Sequence, residues 1–162
     1  MTELAVVMAI LAFVVIALLN RAKIYQEQAE KTAMTEVAGA IQHQLLMNYE
    51  HLLVQQGGGV EIAAMAKENP MSWMDKVPDN YAGEFYDPLP DAVTPGSWFF
   101  DLKSRELAYL PERADNLAPG ADGNKWIHYR VELRYAPASG EHGNKLVESI
   151  LFEPSEPYHW FN

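Results

Sequence analysis

The sequence predicts an α+β fold, with one long N-terminal helix laid across a four-stranded antiparallel sheet. Residues 4–19 carry no charge and no strongly polar group. Apolar residues then recur at helical spacing as far as Leu52, with no Pro on the way and Gly39 as the only Gly before Gly57. From Trp98 onward apolar positions alternate with polar ones in short runs, the period of strands. Helices first and strands after is the α+β order.

The first third of the helix has the composition of a membrane span. Sixteen uncharged residues make about 24 Å of helix, against a hydrocarbon core of about 30 Å. Thr2 and Asn20 extend the run, and Arg21 and Lys23 can snorkel outward. Leu4, Val7, Ile10, Leu11, Val14 and Leu18 are the expected membrane-spanning side chains. A cleaved signal peptide would want basic charge ahead of the run and a small-x-small site behind it. Here Glu3 stands in front and IALLNRAK behind, so the expectation is a retained anchor.

The helix is expected to continue past the membrane edge. Met34, Val37, Ala38, Ile41, Leu45 and Leu52 form one apolar stripe, with Gln26, Glu27, Glu30, Lys31, Gln42 and Gln44 mostly off it. Gly57-Gly58-Gly59 breaks it. One helix of about 55 residues would be ~80 Å long. The stripe is no sustained heptad, so packing on the protein's own sheet is expected rather than a coiled coil. The organisation is then 1–20, the transmembrane part; 21–56, the amphipathic part of the same helix; and 57–162, a globular α+β domain.

Within the domain, Val60 to Glu68 reads as a short helix closed by Asn69-Pro70. Five of the ten prolines lie between Pro70 and Pro95, and that stretch reads as a loop. Its aromatics, Trp73, Tyr81, Phe85 and Tyr86, predict that it packs on the domain. SWFFDLKSRELAYL reads as a hairpin turning at Lys103-Ser104-Arg105. In KWIHYRVELRY, Ile127, Tyr129, Val131, Leu133 and Tyr135 share one face, so a sheet with one covered side is expected. Leu146 to Phe152 is the fourth strand, and the Pro- and aromatic-rich tail EPSEPYHWFN is expected on the surface.

Charge and composition exclude several functions. The net charge is −10, and the chain from Gly57 onward holds 17 acids against 9 Lys and Arg. An acidic domain argues against nucleic acid as a partner and against docking on anionic lipid by charge. There is no cysteine, which excludes thiolate catalysis, Cys-ligated zinc and disulfides. His43, His51, His128, His142 and His159 are scattered without metal-site spacing. Gly57-Gly58-Gly59 follows a helix and lacks the flanks of a phosphate loop. Asp115 and Asp122-Gly123-Asn124 could offer oxygens to Ca²⁺, but the EF-hand spacing is missing and a plain turn is the simpler reading. No catalysis, metal or cofactor is expected.

Thr2-Glu3-Leu4 followed by AVVMAILAFVVIALL, and the stretch NPMSWMDKVPDNYAGEF…PGSWFFDLKSRELAYL, resemble the type IV pilins and type II secretion pseudopilins. The second stretch is similar to minor pilins of the mannose-sensitive haemagglutinin (MSHA) pilus biogenesis group. The family's helix opens Phe-Thr-Leu-Ile-Glu-Leu behind a short basic leader that ends in Gly and is cut off. Here the acid is third instead of fifth, and the disulfide of many pilins is absent.

The resemblance implies a structural subunit in the assembly of a type IV pilus or a secretion pseudopilus, with roles in protein secretion and cell adhesion. Implied partners are other pilin or pseudopilin subunits, the inner-membrane assembly platform and membrane lipid. The implied location is the bacterial inner membrane, crossed once, with a periplasmic globular domain and entry into an extracellular pilus. By charge alone, Arg21 and Lys23 behind the span would place the domain in the cytoplasm.

Glu3 is the residue on which the resemblance bears most. One reading pairs it with the N-terminal amine of a neighbouring subunit, which would set the register between subunits. The other leaves it at the interface, where it complements the helix dipole. The alternative function is a single-span membrane-anchored binding or scaffold protein that does not polymerise. A weaker third is a secreted enzyme with an uncleaved signal.

Overall fold

The computed structural model describes residues 2–55, 59–136 and 147–161; the side chains of residues 2 and 3 are outside that description. Helix α1, Thr2–Val54, is a single helix of 53 residues, or about 80 Å. This is the long continuous helix that the apolar run and stripe predict. Helix α2, Gly59–Met65, follows, then a 3-10 turn at Pro70–Trp73 whose first amide is held by the Asn69 side chain. Five strands complete the chain: β1 Tyr81–Phe85, β2 Ser97–Asp101, β3 Glu106–Leu110, β4 Ile127–Tyr135 and β5 Val147–Pro154.

The sheet runs in the order β1-β2-β3-β4-β5, and this corrects the sequence reading. It has five strands rather than four, and it is mixed, because β1 lies parallel to β2 while the other pairs are antiparallel. The extra strand, YAGEF, lies inside the stretch read as loop. It is only five residues long, has Gly83 at φ 106°, and slips register between Tyr81 and Glu84. Prolines on both sides hide it further. Its pairing is nevertheless made, with the Trp98 amide on the Asn80 carbonyl at 2.9 Å and the Leu102 amide on the Phe85 carbonyl at 2.8 Å. Parallel strands need a long connection, and residues 86–96 supply it.

The apolar stripe of α1 packs on the sheet. Met34, Ala38, Ile41, Leu45 and Tyr49 are buried against Trp98, Phe100, Leu107, Tyr109, Ile127, Tyr129, Ile150 and Phe152. Val37 and Leu52 pack partly. Tyr49 was not among the expected stripe residues; its phenol donates to the Val147 carbonyl at 3.1 Å. The opposite side of the sheet is not bare. Val93, Phe99 and Ala108 form a second small cluster with Phe85, Leu110 and Trp126 beside it, so β2 is buried along its whole length. The expectation of one covered face holds for the far ends of β4 and β5 and fails at β2.

The tail also departs from expectation. Trp160 is 1% exposed and belongs to the main core, where its ring lies parallel to that of Phe161. Leu117 and Trp160 form an isolated bridge that stitches the tail to the loop after β3.

Candidate functional site

The feature with functional meaning is the part of α1 that leaves the domain. Residues 4–26 are all exposed, and the first buried side chain is Glu27. Twenty-three projecting residues span about 35 Å, of which the uncharged run 4–19 is about 24 Å and the polar flank with Arg21 and Lys23 the rest. Leu4, Val7, Ile10, Leu11, Val14 and Leu18 are exposed by between 46% and 71%. Val6, Met8, Phe13, Val15, Ile16 and Leu19 are exposed on the remaining sides. None of the most apolar 18-residue window is buried within the protein. A core helix would show the reverse, with its apolar residues covered. By length and composition α1 can therefore cross a membrane, and soluble monomers rarely leave so continuous an apolar surface in water.

The side chain of Glu3, the expected register residue, lies outside the described residues, as do Gly57, Gly58, His142 and Leu146.

Where the helix meets the domain, three polar side chains of α1 form a clamp. The sequence reading placed Glu27, Glu30 and Lys31 mostly off the apolar stripe and gave them no role. Glu27 is only 2% exposed. Its carboxylate accepts from the Asn116 amide at 2.8 Å, the Asn116 side chain at 2.7 Å and the Trp160 indole at 2.9 Å. Burial pushes its pKa up, but the hydrogen bonds from Trp160 and Asn116, helped by Lys125, outweigh burial and hold it below the ordinary value.

One turn on, Glu30 accepts from the Tyr109 phenol at 3.0 Å, the Glu112 amide at 2.6 Å and the Arg113 amide at 3.0 Å. The Lys31 ammonium donates to the Trp160 carbonyl at 2.7 Å. The spacing 27, 30, 31 puts all three on one helix face. That spacing was visible in the sequence, but the partners lie more than 75 residues away in the chain.

Further along α1, the Gln42 side chain accepts from the Phe152 amide and donates to the Ile150 carbonyl at 3.4 Å. A side-chain amide thus occupies one stretch of the backbone of β5, an outer strand of the sheet. This is one way natural sheets blunt an edge.

On the side of the sheet away from α1, a cavity of about 340 Å³ lies among Glu106, His128, Arg130, Ser155 and Tyr158. Glu106 accepts from the Ser155 hydroxyl at 2.6 Å. The His128 Nδ1 stands 3.3 Å from the other Glu106 oxygen, too poorly aimed for a full hydrogen bond. Burial raises the Glu106 carboxyl, yet His128, Ser155 and Arg130 together leave it below its ordinary value. Ser155 and His128 both address the carboxylate, so no serine–histidine relay is formed.

At the Asp122 turn the carboxylate takes the Asn124 amide at 3.0 Å, the Asn124 side chain at 2.8 Å and the Trp126 indole at 2.6 Å. These are the contacts of a turn, with the carboxylate committed to protein donors. Among the described residues no group of three acids or histidines is placed to share a metal ion.

The chain was compared with protein-family models, with curated proteins and with solved structures, and none of the three yields a match.

Proposed function

We propose that this protein is a membrane-anchored structural subunit of the minor pilin or pseudopilin kind. In this reading the projecting part of α1 sits in the bilayer and, on assembly, among the like helices of neighbouring subunits. One observation carries the proposal. A single uninterrupted helix is bare as far as Gln26 and apolar on all sides over its first third, and its second half is the spine of a sheet domain. That is the layout of a subunit that waits in a membrane and can pass into a filament core without refolding. The acidic domain, the absence of cysteine and the scattered histidines fit a non-catalytic role. The domain is assigned to the periplasm on the family resemblance. The partners proposed are other pilin-like subunits and the inner-membrane assembly platform.

The test is Glu3→Ala in the full chain. Membrane integration should be unchanged, because losing a carboxylate does not weaken an apolar span. Filament assembly and co-purification with filament subunits should be lost. Assembly at the unmutated level would remove the register role from Glu3.

A second reading is a single-span scaffold that binds a partner without polymerising, favoured by the polar cavity beside Glu106 and His128. Cross-linking in membranes separates the two. Ladders of self-linked or pilin-linked species support the subunit, and a single discrete adduct supports the scaffold.

A further inference from the structure

The buried face of α1 does not end where the domain ends. Counting back from Met34 through Glu30, the same face continues as Gln26, Lys23, Leu19 and Ile16 in steps of three and four, with Glu27 and Asn20 beside them. Among the described residues none buries the helix from Ile16 to Gln26, a stretch exposed throughout. Arg113 of the domain lies beside it, held there because its backbone amide donates to Glu30. Ile16, Leu19, Asn20, Lys23, Gln26 and Arg113 line one groove of about 360 Å³, in the angle between helix and domain.

We propose that this groove holds the headgroup of an anionic phospholipid, with one acyl chain running along Ile16 and Leu19. The inference rests on the membrane-anchored reading above. Its groove grades from apolar to basic along the helix, in the order in which a lipid grades from chain to phosphate. With residues 4–19 in hydrocarbon, Lys23 lies four residues beyond, or about 6 Å, at headgroup depth. Helical side chains lean toward the helix N-terminus, which aims Lys23 at the membrane. Arg113 brings a planar guanidinium suited to two phosphate oxygens, and Asn20 and Gln26 add amide donors. Among the described residues neither Lys23 nor Arg113 has an ion-pair partner.

The net charge of −10 opposes this only locally, because exposed charges further than a Debye length of about 8 Å are screened. Of the nearby acids, Glu27 and Glu30 each accept from three neutral donors, which fix the carboxylates in place and turn their oxygens toward the domain without cancelling their charge, so both compete with the phosphate. Glu112 and Asp115 are exposed and add to that competition.

The experiment is native mass spectrometry of the full chain in detergent, titrated with phosphatidylglycerol, phosphatidylcholine or free glycerol phosphate. Phosphatidylglycerol should be retained at least fivefold better than phosphatidylcholine. Arg113→Ala and Lys23→Ala should each lower its retention about fivefold, the scale of one basic residue at a charged surface. Arg113→Lys should recover part of it. Arg21 also follows the span but does not line the groove, so Arg21→Ala should change little. Equal retention of the two lipids, or an Arg21→Ala loss as large as that of Arg113→Ala, would overturn the proposal. Glycerol phosphate binding as tightly as the lipid would overturn it as well. Flotation with phosphatidylcholine vesicles tests the anchor alone. A chain that floats yet shows no lipid preference loses only this inference, and one that fails to float loses both.

Discussion

The indole of Trp160 donates to the carboxylate of Glu27 at 2.9 Å, across 133 residues of chain. This contact closes the domain. It joins the point where α1 becomes buried to the last turn of the described chain, and the same carboxylate holds the loop at Asn116. Glu27→Ala would leave the buried Trp160 indole without an acceptor and release the part-buried Asn116 amide. The expected cost is about 1–3 kcal/mol for each donor left unpaired. Trp160→Phe keeps most of the ring and loses the hydrogen bond, so it should cost less than Glu27→Ala. Urea unfolding of the full chain in detergent ranks the two, and the opposite order would remove Glu27 from the centre of the clamp.

Acid should loosen the same region. The pKa values of Glu27, Glu106 and Asp101 are all held below their ordinary values in the folded chain. A group depressed on folding contributes stability above its unfolded value and loses it as pH falls through the folded one. Stability is therefore expected to be level near neutrality and to fall as pH drops below about 4.5, the ordinary value for Glu27 and Glu106. Thermal melts in low salt at a series of pH values read this directly. In Glu27→Gln the acid loss should be smaller than in the parent chain.

The β2–β3 turn is organised by Asp101. Its carboxylate accepts from the Asp87 and Lys103 amides and from the Ser104 hydroxyl, each at 2.9 Å. Asp101→Ala should cost about 1–3 kcal/mol. Asp101→Asn should cost less, since both amides donate to one oxygen, which Asn retains. Chemical denaturation of the three proteins gives the order.

Arg105 closes that turn at φ 61°, a conformation that costs an L-residue about 1–2 kcal/mol. Arg105→Gly should therefore leave stability unchanged or raise it by up to ~1 kcal/mol, while Arg105→Val should lower it, because a β-branched residue fits the left-handed region poorly. Paired melting curves decide, and a Gly variant clearly less stable than the parent would mean the Arg side chain contributes more than its backbone costs.

Gln42→Leu keeps the bulk of the side chain and removes its amide from the backbone of β5. Hydrogen exchange at the Phe152 amide should accelerate, with a loss of about 1–2 kcal/mol in local opening energy. Exchange at the Phe100 amide, in the middle of the sheet, serves as the internal control and should change little.

Much of the architecture was legible in the sequence, because it depends on periodicity. The uncharged run from Leu4 to Leu19, the stripe from Met34 to Leu45 and the alternation from Ile127 to Leu133 each follow from spacing that a helix or strand imposes on its own residues. Among the described residues none buries the apolar window of α1, so its length and composition alone mark it as able to cross a membrane. What only the tertiary structure decided are the contacts between elements remote in sequence. Strand β1 exists because a short, Gly-containing segment finds the free edge of β2. Glu27 is buried because Asn116 and Trp160, from two distant segments, converge on one carboxylate. Arg113 lines the groove beside the exposed part of α1 because Glu30 binds its backbone. No local pattern encodes these, since each is set by which partner offers a donor or an edge once the helix has settled on the sheet.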